Sequence, residues 1–305
     1  MKDLGPLHYF LGLKISQTDQ GLFRSQEKYA HNLLKKFNRL ECKPSSTPSA
    51  ISTKLTKNSG QLLYDPTLFR QAVGSLQYLT FTRLDLAFFV NSVCQYMHSP
   101  TDSHLSAIKH ILHYVKGTLN QGLLYKPSTL NLTAFCDVDW EADSVDHRSI
   151  TGFVLYLNTN PIHWGTNNQP TVSRSSIEAE YRALATSAAE MTWVHILLCE
   201  LHMFLFEIPT LRCDNCSAIS LASNPLFHAR TKHSELDYHF VREKVTEKDL
   251  VVAFVTSEEQ TADIFTKSLP FTRFHSLKNK LMVVSPPISL QGHINQSKHS
   301  LASMA

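Results

Sequence analysis

Leu132-Thr133-Ala134-Phe135-Cys136-Asp137-Val138-Asp139 is the stretch that decides how this chain is read. Its alternation predicts a β-strand and puts Asp137 and Asp139 on the face that carries Phe135. An acid inside so apolar a strand is costly unless it is paired or holds a cation. The plain alternative is a strand end where both acids meet water. Asp137, the deeper of the two, is the candidate ligand, with Asp139 as a supporting neighbour.

Outward from that strand, the pattern predicts further strands at Ser149 to Leu157 and Ile162 to Gly165, then a long helix from Ser176 to Met203. A strand at Thr210 to Cys213, helices around Ala218 to Ala222 and from Glu235 to Glu247, a strand at Leu250 to Val255 and a helix from near Glu258 complete the unit. Three neighbouring strands, a helix, then alternating strand and helix describe an α/β (α+β) unit with a mixed sheet and helices packed on it. Gly117, Gly122 and Pro127 set its start near residue 128. Residues 129–284 form this unit, and the polar, Pro- and Ser-rich tail 285–305 is expected to be disordered.

Residues 1–128 read differently. Leu7 to Ile15 and Leu22 to Arg24, joined by the turn Thr18-Asp19-Gln20-Gly21, predict a hairpin. Helices follow at Gln26 to Phe37, Leu68 to Phe81, Leu84 to Met97 and Ser103 to Lys116, with an aperiodic loop over residues 42–66. A composition of 43% hydrophobic and 18% charged residues fits two globular units with cores of their own. The formal charge of +3 neither demands nor excludes a nucleic-acid partner. Six cysteines without framework spacing, no signal peptide and no membrane-length apolar run predict a soluble intracellular protein with reduced thiols.

Three more acids deserve weight beside Asp137. On the long helix, about 100° per residue places Glu180 along the edge of a core stripe of Ile177, Tyr181, Leu184, Ala188, Met191 and Leu198, and Glu178 away from it. Ser175 and Glu178 also fit a capping box, which gives Glu178 a structural task. Asp214 follows a strand and precedes a helix, where open sheets place ligand-binding residues and where a helix cap would also sit. Asp263 lies early in a helix, where the helix dipole favours an acid in any case. Four acids on different elements, a strand, a helix, a strand end and a helix, suit a site that holds two divalent ions against a phosphate.

At these residues the chain resembles a known family. AFCDVDW, RSITGF, QPTVSRSSIEAEYRAL, LRCDN, FHARTKHSELDYHFVREKV and EEQTADIFTKSLP are similar to the ribonuclease H domain of Ty1/copia-type retrotransposon polyproteins, over about residues 130–284. Before them LHYFLGLKI, VGSLQYL and HILHYVKGT resemble the C-terminal part of the same elements' reverse transcriptase. The resemblance implies a five-stranded ribonuclease H-like sheet flanked by helices, preceded by a mostly helical thumb and connection remnant. It implies Asp137, Glu180, Asp214 and Asp263 as catalytic metal ligands for two Mg²⁺ ions, with Mn²⁺ as a substitute, and hydrolysis of the RNA strand of an RNA/DNA hybrid. A missing upstream reverse-transcriptase region is the implied partner, in the cytoplasm, within a virus-like particle, or in the nucleus.

Departures from the family pattern qualify this. No Asp-Asp pair occurs, so the Tyr-x-Asp-Asp polymerase turn is expected upstream of Met1 and the first half is expected not to polymerise. Arg83-Leu84-Asp85-Leu86 and His104-Leu105 read as drift in a packing region, and Asn167-Asn168 replaces a lysine pair. Val255 to Asp263 holds no histidine, which leaves proton handling to water and Glu258 or Glu259. Lys109 and Lys116 share a face with His113, and Arg174 and Ser175 mark a helix start that could hold phosphate. Cys213, Cys216, His228 and His233 approach a zinc spacing that competes with the acid reading. A catalytically silent remnant that binds nucleic acid at most is the rival function.

Overall fold

A computed structural model describes residues 8–49, 55–57, 59–140, 142, 146–223 and 235–287. Most of the tail, 288–305, and the pair His228 and His233 lie outside the described residues, as do parts of the loop read over 42–66. Among the described residues no helix is long and apolar enough to cross a membrane.

The first unit is built on strands β1 (Tyr9–Phe10), β2 (Leu13–Thr18) and β3 (Gly21–Ser25) and helices α1 (Glu27–Lys36), α2 (Thr67–Leu79), α3 (Ala87–Cys94) and α4 (Asp102–Gly117), followed by strand β4 (Gly122–Tyr125). The expected strand from Leu7 to Ile15 is broken by a tight turn. Leu11 and Gly12 both take positive φ (46° and 76°), and Phe10 pairs with Leu13 across them. The helix read over Leu84 to Met97 is a 3-10 turn, Leu84–Leu86, running into α3.

Arg83 and Asp85 are a buried pair. Arg83 donates from Nε and Nη2 to the two carboxylate oxygens at 3.0 and 2.8 Å, and Tyr114 donates its hydroxyl to Asp85 at 2.6 Å. Leu84 and Leu86, between and beyond them, are fully buried in the core. His104 closes a capping box with Thr101 at the start of α4 and is buried there.

The second unit holds β5 (Leu132–Asp139), β6 (Ile150–Leu157), β7 (Asn160–Asn168), α5 (Ser176–Glu200), β8 (Thr210–Cys213), α6 (Cys216–Ser223), α7 (Glu235–Thr246) and β9 (Val251–Phe254). Its sheet has the order β7-β6-β5-β8-β9. The β5, β6 and β7 strands are antiparallel, while β8 and β9 run parallel to β5, which is the ribonuclease H-like arrangement. One face of β5, with Leu132, Ala134, Cys136 and Val138, packs on α5. Ile177, expected in the core stripe of α5, is 37% exposed, whereas Ala179 in the same turn is fully buried.

The chain then passes through a 3-10 turn (Thr261–Phe265) and α8 (Phe271–Lys280) to β10 (Val283–Val284). β10 returns to the first unit and pairs with β4, closing a second five-stranded sheet in the order β1-β2-β3-β4-β10. Val154 and Tyr156 of β6, Phe265, Phe274 and Leu277 share one core with α1 to α4. Burying Phe265 and Phe274 contributes roughly 1.5–3 kcal/mol each. Lys278 of α8 reaches Gln121 Oε1 at 3.0 Å and the Tyr114 hydroxyl at 3.4 Å.

Candidate active site

The acids come from four elements. Asp137 is the sixth residue of β5, on the face away from α5, and is 2% exposed. Its Oδ2 accepts a hydrogen bond from the buried Thr266 hydroxyl and faces Lys267 Nζ at 3.1 Å. Asp263 sits in the 3-10 turn, not in a regular helix, and is also buried. Its Oδ1 meets the same Lys267 ammonium at 3.0 Å, and its Oδ2 accepts from Arg273 Nη2 at 3.1 Å.

Close packing holds the turn against β6. A Cβ on Gly152 would stand 2.8 Å from Phe265 Cβ and 2.6 Å from Thr266 Cγ2, so glycine is required for this approach. Gln260, fully buried, donates from Nε2 to the Cys136 carbonyl at 2.8 Å and ties the turn to β5. Arg273 also donates to the carbonyls of Ser257, Glu258 and Gln260.

On the other side, α5 delivers Glu180. Ser175 Oγ accepts from Glu178 N–H at 3.2 Å, and Glu178 Oε2 accepts from Arg174 N–H at 2.9 Å, one residue before the position a capping box uses. Arg182 adds an ion pair to Glu178 at 2.7 Å. Arg174 and Ser175 thus have defined roles at this helix start. Gln169 fixes the helix to the sheet, donating to the Ala179 carbonyl at 2.9 Å and to Thr151 Oγ1 at 3.1 Å.

Glu180 Oε2 lies 3.9 Å from Cys213 Sγ, and ligand atoms of Glu180, Cys213 and Asp214 lie within 4.8 Å of one another. Asp214 Oδ2 accepts from Ser257 Oγ at 3.2 Å. Cys216 is exposed on α6, whereas Cys213 is buried in β8. Lys109 is exposed on α4 and Lys116 half-buried there, both in the first unit.

Charge at the site is unbalanced. Burial, with the nearby Asp263 and Asp214, pushes the Asp137 carboxyl up to about 6 against the pull of Lys267. Burial, followed by Cys213, Asp137 and Asp214, pushes Glu180 up to about 9. Lys267 is held above the ordinary lysine range because Asp137 and Asp263 outweigh its burial. Sequence reasoning missed Lys267, Thr266 and Arg273. The four-residue spacing from Asp263 to Lys267 was the available signal for one of them.

The retrovirus-related Pol polyprotein from transposon RE2 of Arabidopsis thaliana is 45% identical over 96% of this chain, which covers 20% of that polyprotein. An uncharacterised mitochondrial protein of the same plant is 52% identical over 63% of this chain and 80% of its own length. The chain belongs to the copia-type retrotransposon Pol family. It spans about a fifth of the length of the Pol polyproteins it matches. No protein-family model matches it. Among solved structures, a ribonuclease H1 isolated from compost covers 45% of this Pol-family chain and 94% of its own, at 14% identity and a TM-score of 0.36.

Proposed function

We propose that the second unit of this Pol-family chain hydrolyses the RNA strand of an RNA/DNA hybrid, with Asp137, Glu180, Asp214 and Asp263 holding two Mg²⁺ ions. The observation that carries this reading is geometric: one Lys267 ammonium stands 3.1 Å from Asp137 and 3.0 Å from Asp263, and ligand atoms of Glu180 and Asp214 lie within 4.8 Å of one another. Burial, and after it the neighbouring acids, lifts Asp137 to about 6 and Glu180 to about 9. Carboxyls lifted this way by burial and by one another take up either protons or cations. The carboxylate oxygens suit Mg²⁺, for which Mn²⁺ would substitute. When bound, the ions activate a water and stabilise the leaving 3′ oxygen.

The chain's own groups aim the carboxylates. Thr266 orients Asp137, Ser257 orients Asp214, and Arg273 orients Asp263. Gln169 sets the level of Glu180 on the sheet through the Ala179 carbonyl. The upstream polymerase region of a longer polyprotein is the proposed partner. Residues 129–284 are the proposed nuclease unit, with α8 and β10 also completing the first.

The test is incubation of the full chain with a labelled RNA/DNA hybrid in Mg²⁺, beside Asp137→Asn and Glu180→Gln. RNA cleavage by the parent and a loss of about 10³-fold or more in the variants is expected. Equal rates in parent and variants, or no cleavage by the parent, would sink the proposal. Hybrid binding without cleavage would assign the silent remnant instead.

A further inference from the structure

One charged group at the site has no part in the proposed chemistry. A single Lys267 ammonium joins Asp137 Oδ2 at 3.1 Å to Asp263 Oδ1 at 3.0 Å, so it bridges a strand acid and a turn acid. An ammonium offers donors only, and it engages the same oxygen lone pairs that a hard divalent cation uses. A divalent ion on those oxygens would stand close to the ammonium, and repulsion between the two like charges sets them in competition.

Arg273, the other cation here, differs in kind. It is tied to three backbone carbonyls as well as to Asp263 Oδ2, which fixes it in place. Lys267 makes its ion pairs through a point charge on a flexible stem, with a side chain 39% exposed. It also borders a cavity of about 540 Å³ between the two units, shared with Asp139, Asn168, Ser268 and His110. An ammonium released from the acids has this cavity to enter.

We infer that Lys267 is a positioning residue that serves as the resident cation of the metal-free site and leaves Asp137 and Asp263 when a divalent ion enters. This rests on the reading of the acids as metal ligands. Binding is then an exchange of cations, and the lysine lowers the apparent metal affinity while holding the acids together without metal.

Mn²⁺ titration of the full chain, followed by electron paramagnetic resonance, tests it. Lys267→Met is expected to bind Mn²⁺ about tenfold more tightly than the parent, since charge-assisted contacts no longer compete, and to melt at a lower temperature in chelator. Equal or weaker binding by a folded Lys267→Met chain would overturn the inference alone. No binding by parent and variant alike would overturn the metal reading with it.

A second measurement needs no variant. Amine acetylation of the parent, read at Lys267 by mass spectrometry, is expected to speed up several-fold on adding Mn²⁺, because the ammonium is released. Unchanged or slower labelling at a Mn²⁺ concentration that saturates the site would overturn the exchange.

Discussion

Glu180→Gln in the metal-free chain should change how stability depends on pH. The Glu180 carboxyl stands at about 9 in the folded protein against 4.5 for a free glutamate. A raised carboxyl binds a proton in the folded state that the unfolded chain has already released, so stability falls as pH rises from 4.5 towards about 9. Each pH unit inside that window removes about 1.4 kcal/mol, the value of one proton. Between pH 6.5 and 8.5 the parent should therefore lose roughly 2.5 kcal/mol through this group, a loss that Gln, which does not titrate, avoids. Asp137, at about 6, is largely ionised across that range and adds little slope. Urea denaturation in chelator at several pH values measures it, provided the denaturant slope stays constant. Groups remote from the site titrate equally in both chains, so the difference between the two curves reports Glu180 together with its coupling to Asp137, Cys213 and Asp214. Parallel curves would refute the argument that this carboxyl is buried among like charges. With saturating Mg²⁺ in place of chelator the parent's slope should shrink, because the ligating form is the carboxylate.

Two further outcomes follow from packing. Arg83→Met leaves Asp85 buried without its bidentate partner and should cost about 3–5 kcal/mol in urea denaturation; a loss below about 1 kcal/mol would show that Tyr114 and Lys278 suffice for that carboxylate. Gly152→Ala drives a methyl into Phe265 and Thr266 and should cost about 1–3 kcal/mol, together with slower hybrid cleavage as the Asp263 turn moves off β6. Unchanged stability and rate in that variant would mean the turn yields freely.

The second unit was legible because its signals are local. Alternation in β5 set Asp137 on the face opposite the α5 core, and helix geometry picked the glutamate whose carboxyl stands beside Asp214. Glu178, expected to cap the helix, does close its start, although onto Arg174 N–H. What escaped was tertiary. Strands of two residues such as β1 and β10 have no period to detect, and β10 finds its partner only across the whole second unit. Leu11 in a left-handed turn runs against its residue type, which left Gly12 as the one compositional signal of the break in the first strand. Arg83 and Asp85 lie in a stretch that reads as packing drift, and their burial rests on their mutual pairing and on the hydrogen bonds from Tyr114 and to Thr118, which no local pattern shows.

The pairing of β10 with β4 also has a consequence for biosynthesis. As the chain leaves the ribosome, the β4 edge stays open while the entire second sheet is made, and it closes only when Val283 and Val284 emerge. Contacts of such sequence separation form late and slowly. Until then the apolar strand Gly122–Tyr125 is an unpaired edge in the nascent chain. Ending translation shortly before Val283 would leave that edge without its native partner.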